Sequence, residues 1–263
     1  MVGKRSKRRR NGLLGNHQRC WLWGRHAVLE TLRAGCWLPV QVRIGPEQLT
    51  PAVRSEVRQL AQSRQVPLVE VADEELDQLA GRQEHQGLMA RMPEFPYADF
   101  SKTLAALPQN PFVLVLDRIQ DPFNFGAILR SAEILGVAAV FVASREQAAV
   151  SSHVVRSSAG AVNFLPIVQT ESLLSVLEEL RRRGLQTACA SEKGNSAPDS
   201  VNLTGPTALL IGNEGSGPAE ELINACDVQL SIPQSGHVGS LNAAVAAGIL
   251  CYEIARQRRT LKT

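Results

Sequence analysis

TALLIGNEGSGPAEELINACDVQLSIPQSGHVGSLNAAVAAG, residues 207–248, is the stretch on which the reading of this chain turns. A short apolar run, 208–211, breaks at Gly212-Asn213-Glu214-Gly215-Ser216-Gly217. A short helical pattern starts at Pro218, and a second apolar run spans 228–232. A turn cluster, 233–239, then leads into a long apolar helix that opens at Ser240. Two glycine-rich breaks, each straight after a strand, leave free backbone N–H and C=O groups at the C-terminal edge of an α/β sheet, where small ligands bind. The same pattern also serves in ordinary strand-to-helix turns, so the stretch alone leaves ligand binding open.

Upstream, residues 112–116 form a continuous apolar run that reads as a buried strand. A helix over 125–135 follows, then a strand at 138–143, a weaker helix at 153–161 and a strand at 164–168. Residues 171–183 place Leu173, Leu174, Leu177 and Leu180 on one helical face, with Gly184 as the stop. Strands at 186–190 and 208–211 complete a mostly parallel sheet flanked by helices. Ordinary connection rules give this sheet an unknotted, doubly wound topology.

Residues 20–92 alternate differently. The spacing predicts helices at 23–35, 51–64 and 73–79 and strands at 40–44, 66–71 and 87–91, a small α/β sandwich. Residues 93–110 carry Pro93, Pro96 and Pro108 with few periodic apolar positions, and read as a linker to a second domain at 111–263. At 263 residues the chain has room for two such cores. No run of about 18 apolar residues suggests a membrane span.

Three motifs carry a family resemblance. LDRIQDPFNFGAILRSAEILG (116–136), LLIGNEGSG (209–217) and SIPQSGHVGSLNAAVA (231–246) resemble, in order, the three motifs of the SpoU/TrmH family of RNA ribose 2'-O-methyltransferases, of the SPOUT class. The resemblance implies a C-terminal α/β domain tied in a deep trefoil knot, which periodicity does not show. Gly24-Arg25-His26-Ala27-Val28 and His85-Gln86-Gly87 resemble, more weakly, the N-terminal domain of the ribosomal branch, an L30e-like RNA-binding fold. That branch methylates guanosine in 23S rRNA. The resemblance therefore implies S-adenosylmethionine as methyl donor, large-subunit rRNA as substrate, and a homodimer that completes the site.

Site residues follow from the same motifs. Asn124, Arg130, Glu214, Ser240 and Asn242 match the reactive residues, and Gly212, Ile232 and Leu241 match those that cradle the donor. The residues also have plainer readings. Asn124 and Ser240 suit helix N-caps. Arg130 lies away from the Ile128/Ala132 stripe and could pair with Glu133. Glu214 could be a turn carboxylate, and Ile232 and Leu241 plain core. Two departures from the family, Gln234 for Met and Ala243-Ala244 for Val-Ser, remove no reactive group.

Charge and cysteine usage bound the rest. Net charge is +3, but residues 4–10 (KRSKRRR) hold six of the 28 basic residues and no acid, leaving 22 against 25, a net of −3. Such a run suits phosphate binding or a solubilising leader. Five widely spaced cysteines without C-x-x-C predict a reducing, cytoplasmic setting and no zinc site. No G-x-G-x-x-G follows Leu116, so a nucleotide-dependent oxidoreductase lacks its fingerprint. Methylation of tRNA and a catalytically silent RNA-binding role on the same fold stay open.

Overall fold

The structure is a computed structural model that describes residues 20–81, 84–237 and 239–260. The basic run at 4–10 lies outside the described residues. The chain divides into two compact units, Met1–Pro96 and Tyr97–Thr263.

The first unit runs β1 (Trp21–Trp23), α1 (Arg25–Ala34), β2 (Gln41–Ile44), α2 (Pro51–Ser63), β3 (Leu68–Glu70), α3 (Asp73–Ala80) and β4 (Leu88–Arg91). Its sheet order is β1-β4-β2-β3, with β4 antiparallel to both neighbours and β2 parallel to β3. Leu22, Val28, Leu32, Val42, Val57, Leu76 and Leu88 are buried. Trp23, expected to open the first helix, instead ends β1, where it pairs with Met89. Gly24 at φ 95° turns the chain into α1, a backbone angle that suits glycine.

This turn brings the two short N-terminal motifs together. Gly24 N donates to Leu88 O at 3.1 Å and Arg25 N to Gln86 Oε1 at 3.1 Å. His85 is 3% exposed; its Nδ1 accepts from Gly87 N at 3.0 Å, which places the proton on Nε2, 2.9 Å from Asp77 Oδ1. His85 is thus a turn-forming residue of this unit, whereas His26 is exposed.

The second unit opens with α4 (Phe100–Ala105), then β5 (Phe112–Leu116), α5 (Pro122–Ile134), β6 (Ala139–Ala143), α6 (Ser152–Ser157), β7 (Ile167–Thr170) and α7 (Leu173–Arg182). It continues with β8 (Gln186–Ala190), β9 (Thr207–Ile211), α8 (Glu220–Asn224), β10 (Val228–Leu230) and α9 (Ala243–Thr260). All six strands are parallel, in the order β10-β8-β9-β5-β6-β7. β5 and β9, buried along their whole length, form the centre, as unbroken apolar runs in a covered parallel sheet should.

The expected linker carries more structure than its prolines suggested. Ala98 N donates to Ile167 O at 2.8 Å, and Leu104 of α4 is buried in the core of the second unit. Asp99 caps α4 by accepting from Lys102 N at 2.9 Å. Only the tertiary contact with β7 and the sheet makes so short a helix hold, because isolated helices of this length are marginal.

Two helix starts also differ from expectation. α5 begins at Pro122, with Asp121 as N-cap accepting from Phe123 N at 3.0 Å. Asp-Pro is a favourable cap-plus-first-turn pair, so Asn124 lies inside the helix. α9 begins at Ala243, and Asn242 rather than Ser240 caps it, accepting from Ala244 N at 2.9 Å. α9 then runs beside α5 back toward the N-terminal edge of the sheet. There Arg258 donates to Asn110 O and Pro111 O, and Gln257 Nε2 to Val201 O.

Candidate active site

The strand order places the segments after β5, β8, β9 and β10 at one edge of the sheet, their C-terminal ends. The segment after β9 is the most tightly built. Asn213 Oδ1 accepts from Gly215 N (2.9 Å) and Ser216 N (3.2 Å), and Gly217 N returns to Asn213 O at 2.9 Å. The result is a closed turn. Gly212 lies beneath it: a Cβ there would sit 2.0 Å from Pro218 N and 2.3 Å from Gly217 C. The glycine is therefore required first by the chain's own crossing, whatever ligand approaches it.

A clamp from the first motif holds this turn. Asp117, 5% exposed, accepts from Ala219 N at 2.9 Å and from Arg118 Nη2 at 3.0 Å. Arg118 also donates to Gly217 O at 3.2 Å, and its own carbonyl accepts from Asn213 Nδ2 at 2.9 Å. Arg118 adopts φ 57°, a left-handed backbone that a non-glycine residue keeps only when its contacts over-determine it. The hydrogen bond to Asp117 holds the guanidinium pKa above its usual range. Sequence reasoning passed over Asp117 and Arg118; their position straight after a buried strand was the available signal.

Below the turn lies a cavity of about 400 Å³. Gly212, Ile232 and Leu241, the three residues matched to donor binding, all line it. Ile211, Leu230 and Leu250 add apolar wall, Ser191 and Lys193 after β8 close another side, and Glu214 and Ser240 contribute to the lining as well. Gln234 and Ala243, the two departures, also lie on the wall. The wall is thus mixed, with Ile211, Leu230, Ile232, Leu241 and Leu250 facing polar groups of the 212–217 turn and of the segment after β8, a make-up that suits a ligand with both apolar and polar parts.

Beside the cavity three of the matched residues join in one chain of hydrogen bonds. Asn242 Nδ2 donates to Asn124 Oδ1 at 3.0 Å, and Asn124 Nδ2 donates to Glu214 Oε1 at 2.8 Å. Asn213 Nδ2 reaches Glu214 Oε2 at 3.4 Å. Residues from three separate motifs thus orient a single carboxylate. Arg130 is not part of this chain. It is exposed on α5 and makes no hydrogen bond or ion pair with the described residues, Glu133 included. Among the described residues no group of three His, Cys, Asp or Glu side chains could hold a metal ion. No helix among them is long and apolar enough to cross a membrane.

A six-stranded parallel sheet with a built turn, a cavity and a polar chain at one edge has the layout of an α/β domain with a small-molecule site at the C-terminal ends of its strands. Residues 111–252 match the SpoU rRNA Methylase family, and residues 21–98 match the family described as RNA 2'-O ribose methyltransferase substrate binding. YacO of Bacillus subtilis, which carries the name TrmH family tRNA/rRNA methyltransferase, is 32% identical over 92% of this chain and 98% of its own. The SpoU methyltransferase AviRb of Streptomyces viridochromogenes, crystallised with AdoMet, superposes with TM-score 0.78 at 28% identity, covering 94% of this chain and 96% of that one. An AdoMet-bound rRNA methyltransferase of Sinorhizobium meliloti gives TM-score 0.77 at 25% identity, over 91% and 87%. The A. aeolicus TrmH/SpoU tRNA modifying enzyme, 27% identical, matches 61% of this chain and 81% of its own, with TM-score 0.53. The chain belongs to the SpoU methyltransferase family and is an S-adenosylmethionine-dependent RNA 2'-O ribose methyltransferase.

Proposed function

We propose that this enzyme methylates a ribose 2'-OH in large-subunit rRNA, with guanosine as the target nucleoside. The supporting observation is the first unit. Residues 21–98 match a substrate-binding family, and the rRNA methyltransferase of S. meliloti aligns along 91% of the chain. The tRNA-modifying enzyme of A. aeolicus aligns along only 61%. The described cysteines are all free, in keeping with a cytoplasmic enzyme.

The cavity suits the donor. Ile232 and Leu241 offer apolar surface to an adenine, and the backbone of the 212–217 turn offers polar groups to its rim. S-adenosylmethionine supplies an activated methyl on a sulfonium. The chain's own residues must then seat the ribose and ease loss of its proton. Asn124, Glu214 and Asn242, tied together, set the polar wall that the 2'-oxygen meets, with Ser240 nearby on the rim. Arg130 clamps the phosphate beside the target ribose and stabilises the developing alkoxide, a role suited to a planar guanidinium that stays protonated.

Arg130 stands outside the network of its own chain, so this assignment joins with a homodimer in which the arginine serves the partner's site. Val245, Ile249 and Tyr252 of α9 and Ile134 of α5 are exposed apolar residues on two adjoining helices, a surface that a two-fold pairing would cover. The trefoil threading belongs to the same proposal. It is supported by the strand order, in which β9 inserts between β8 and β5 before β10 closes outside β8.

Incubation with isotopically labelled S-adenosylmethionine and either large-subunit rRNA or bulk tRNA tests the substrate. Label in rRNA at a guanosine ribose is expected. Label in tRNA alone would overturn the substrate, and label in neither would favour a binding-only role. Arg130→Lys with full transfer would overturn the arginine's role.

A further inference from the structure

Phe123 is an aromatic residue of the first motif that no role above absorbs. It is 59% exposed, although it stands next to Asn124 in the first turn of α5. Beside a residue matched to the reaction, such a ring offers apolar surface to whatever binds there.

Its surroundings identify that occupant. The ring lies 5.6 Å from the imidazole of His153 on α6, centroid to centroid, tilted by 57°. One serine ties together the backbones beside them. Ser157 Oγ donates to His153 O at 2.8 Å and shares its proton with Pro122 O at 3.2 Å, so it ties down the residue before Phe123 and the backbone of His153 together. α5 and α6 meet there without slack, because a Cβ on Gly126 would lie 1.8 Å from Ser157 Oγ. On the same face of α5, seven residues on and about 10 Å along the axis, stands Arg130 with no partner among the described residues. A pair of flat rings beside Asn124, on the helix face that also carries the proposed phosphate clamp Arg130, has the chemistry of a base stack flanked by a phosphate contact.

We propose that Phe123 and His153 form a stacking platform for an unpaired RNA base adjoining the target nucleotide, and so contribute to substrate selection. The proposal rests on the RNA ribose methylation reading. A second copy of the chain is the competing occupant, but Phe123 lies at the N-terminal end of α5 beside the His153 imidazole, whereas Ile134, the α5 residue of the proposed pairing surface, is at the other end.

The test uses the full chain with unmodified large-subunit rRNA and, separately, bulk tRNA. Affinity for RNA, the KM for RNA, kcat, affinity for S-adenosylmethionine and mass in solution are measured for Phe123→Ala, Phe123→Trp and His153→Ala. Phe123→Ala should weaken RNA binding and raise the KM for RNA about tenfold, the order that one base stack contributes. Donor affinity and mass should stay at wild-type values, and Phe123→Trp should restore binding. His153→Ala, which leaves α5 intact, should shift RNA affinity in the same direction and serves if Phe123→Ala fails to fold.

Wild-type RNA affinity in both alanine variants overturns the platform. So does a fall in mass with Phe123→Ala, which would assign the ring to a subunit contact. Equal weakening by Trp and Ala would also overturn it, since stacking must then be absent. Failure of the underlying reading looks different: the wild-type enzyme would transfer no methyl to either RNA, while the RNA-binding measurements would still decide the platform.

Discussion

Asn124 Nδ2 donates to Glu214 Oε1 at 2.8 Å across 90 positions of sequence. The amide is held in turn by Asn242, so one helix cap and one helix start form a chain that ends on the carboxylate of one turn. Asn124→Asp replaces the donor with a second carboxylate and sets two like charges together. Methyl transfer should fall about 10²-fold, the order that a small misplacement of reacting groups costs. Donor affinity should hold, because Asn124 is not part of the cavity wall. Single-turnover transfer compared with calorimetric binding of S-adenosylmethionine checks both halves.

Gly212→Ala should act on the 212–217 turn as a whole. The new methyl would meet backbone atoms of Gly217 and Pro218, which cannot swing aside as a side chain could. Destabilisation of about 1–3 kcal/mol is expected from overpacking, with loss of donor binding. Gly205→Ala, where a Cβ meets nothing within 4 Å, is the control and should change neither. Thermal unfolding and calorimetry on both variants decide it.

Arg118→Ala should loosen the same turn from the other side. Asp117 would be left buried with Ala219 N as its remaining hydrogen-bond donor, and Gly217 O would lose its guanidinium. Breaking a largely buried pair by removing one partner costs about 3 kcal/mol. S-adenosylmethionine affinity should drop with it, whereas Arg118→Lys, which keeps charge but not the fork, should recover only part. Denaturant unfolding and donor titration are the measurements.

Alkaline pH should weaken the fold through Cys251. Burial pushes its thiol from 9.0 up to about 12. The folded chain therefore keeps a proton that the unfolded chain releases above pH 9, so stability is full below that and falls as pH rises toward 12. Each pH unit in that window removes about 1.4 kcal/mol per such thiol. Cys251→Ala should flatten the slope of unfolding free energy against pH by that amount between pH 9.5 and 11.

Much of this was legible beforehand because it is local. Phe112–Leu116 is apolar at every position and Thr207–Ile211 at every position but one, and such short, β-branched or leucine-rich runs suit a covered parallel strand. Leu173, Leu174, Leu177 and Leu180 mark α7 by spacing alone, and three of the four, all but Leu174, are buried. The short strand β1 and the helix α4 escaped, since each exists by virtue of a distant partner, β4 in one case and β7 with the sheet core in the other. The helix starts at Pro122 and Ala243 were misplaced by a residue or more, because several polar residues there compete for the cap.

The order of residues alone determined which side chains were available: a sheet of buried runs, two glycine-rich breaks, and the asparagines, arginine and carboxylate of three motifs. Only the tertiary structure decided which of them meet. Asn124, Glu214 and Asn242 converge because parallel strands send their following segments to one edge, while Arg130 on the same helix is turned outward by the 3.6-residue repeat. Gly212 shows the difference most directly. Its composition reads as room for a ligand, yet the crossing of Gly217 and Pro218 over its Cα, a contact between backbones with no side-chain signature, is what forbids any other residue there.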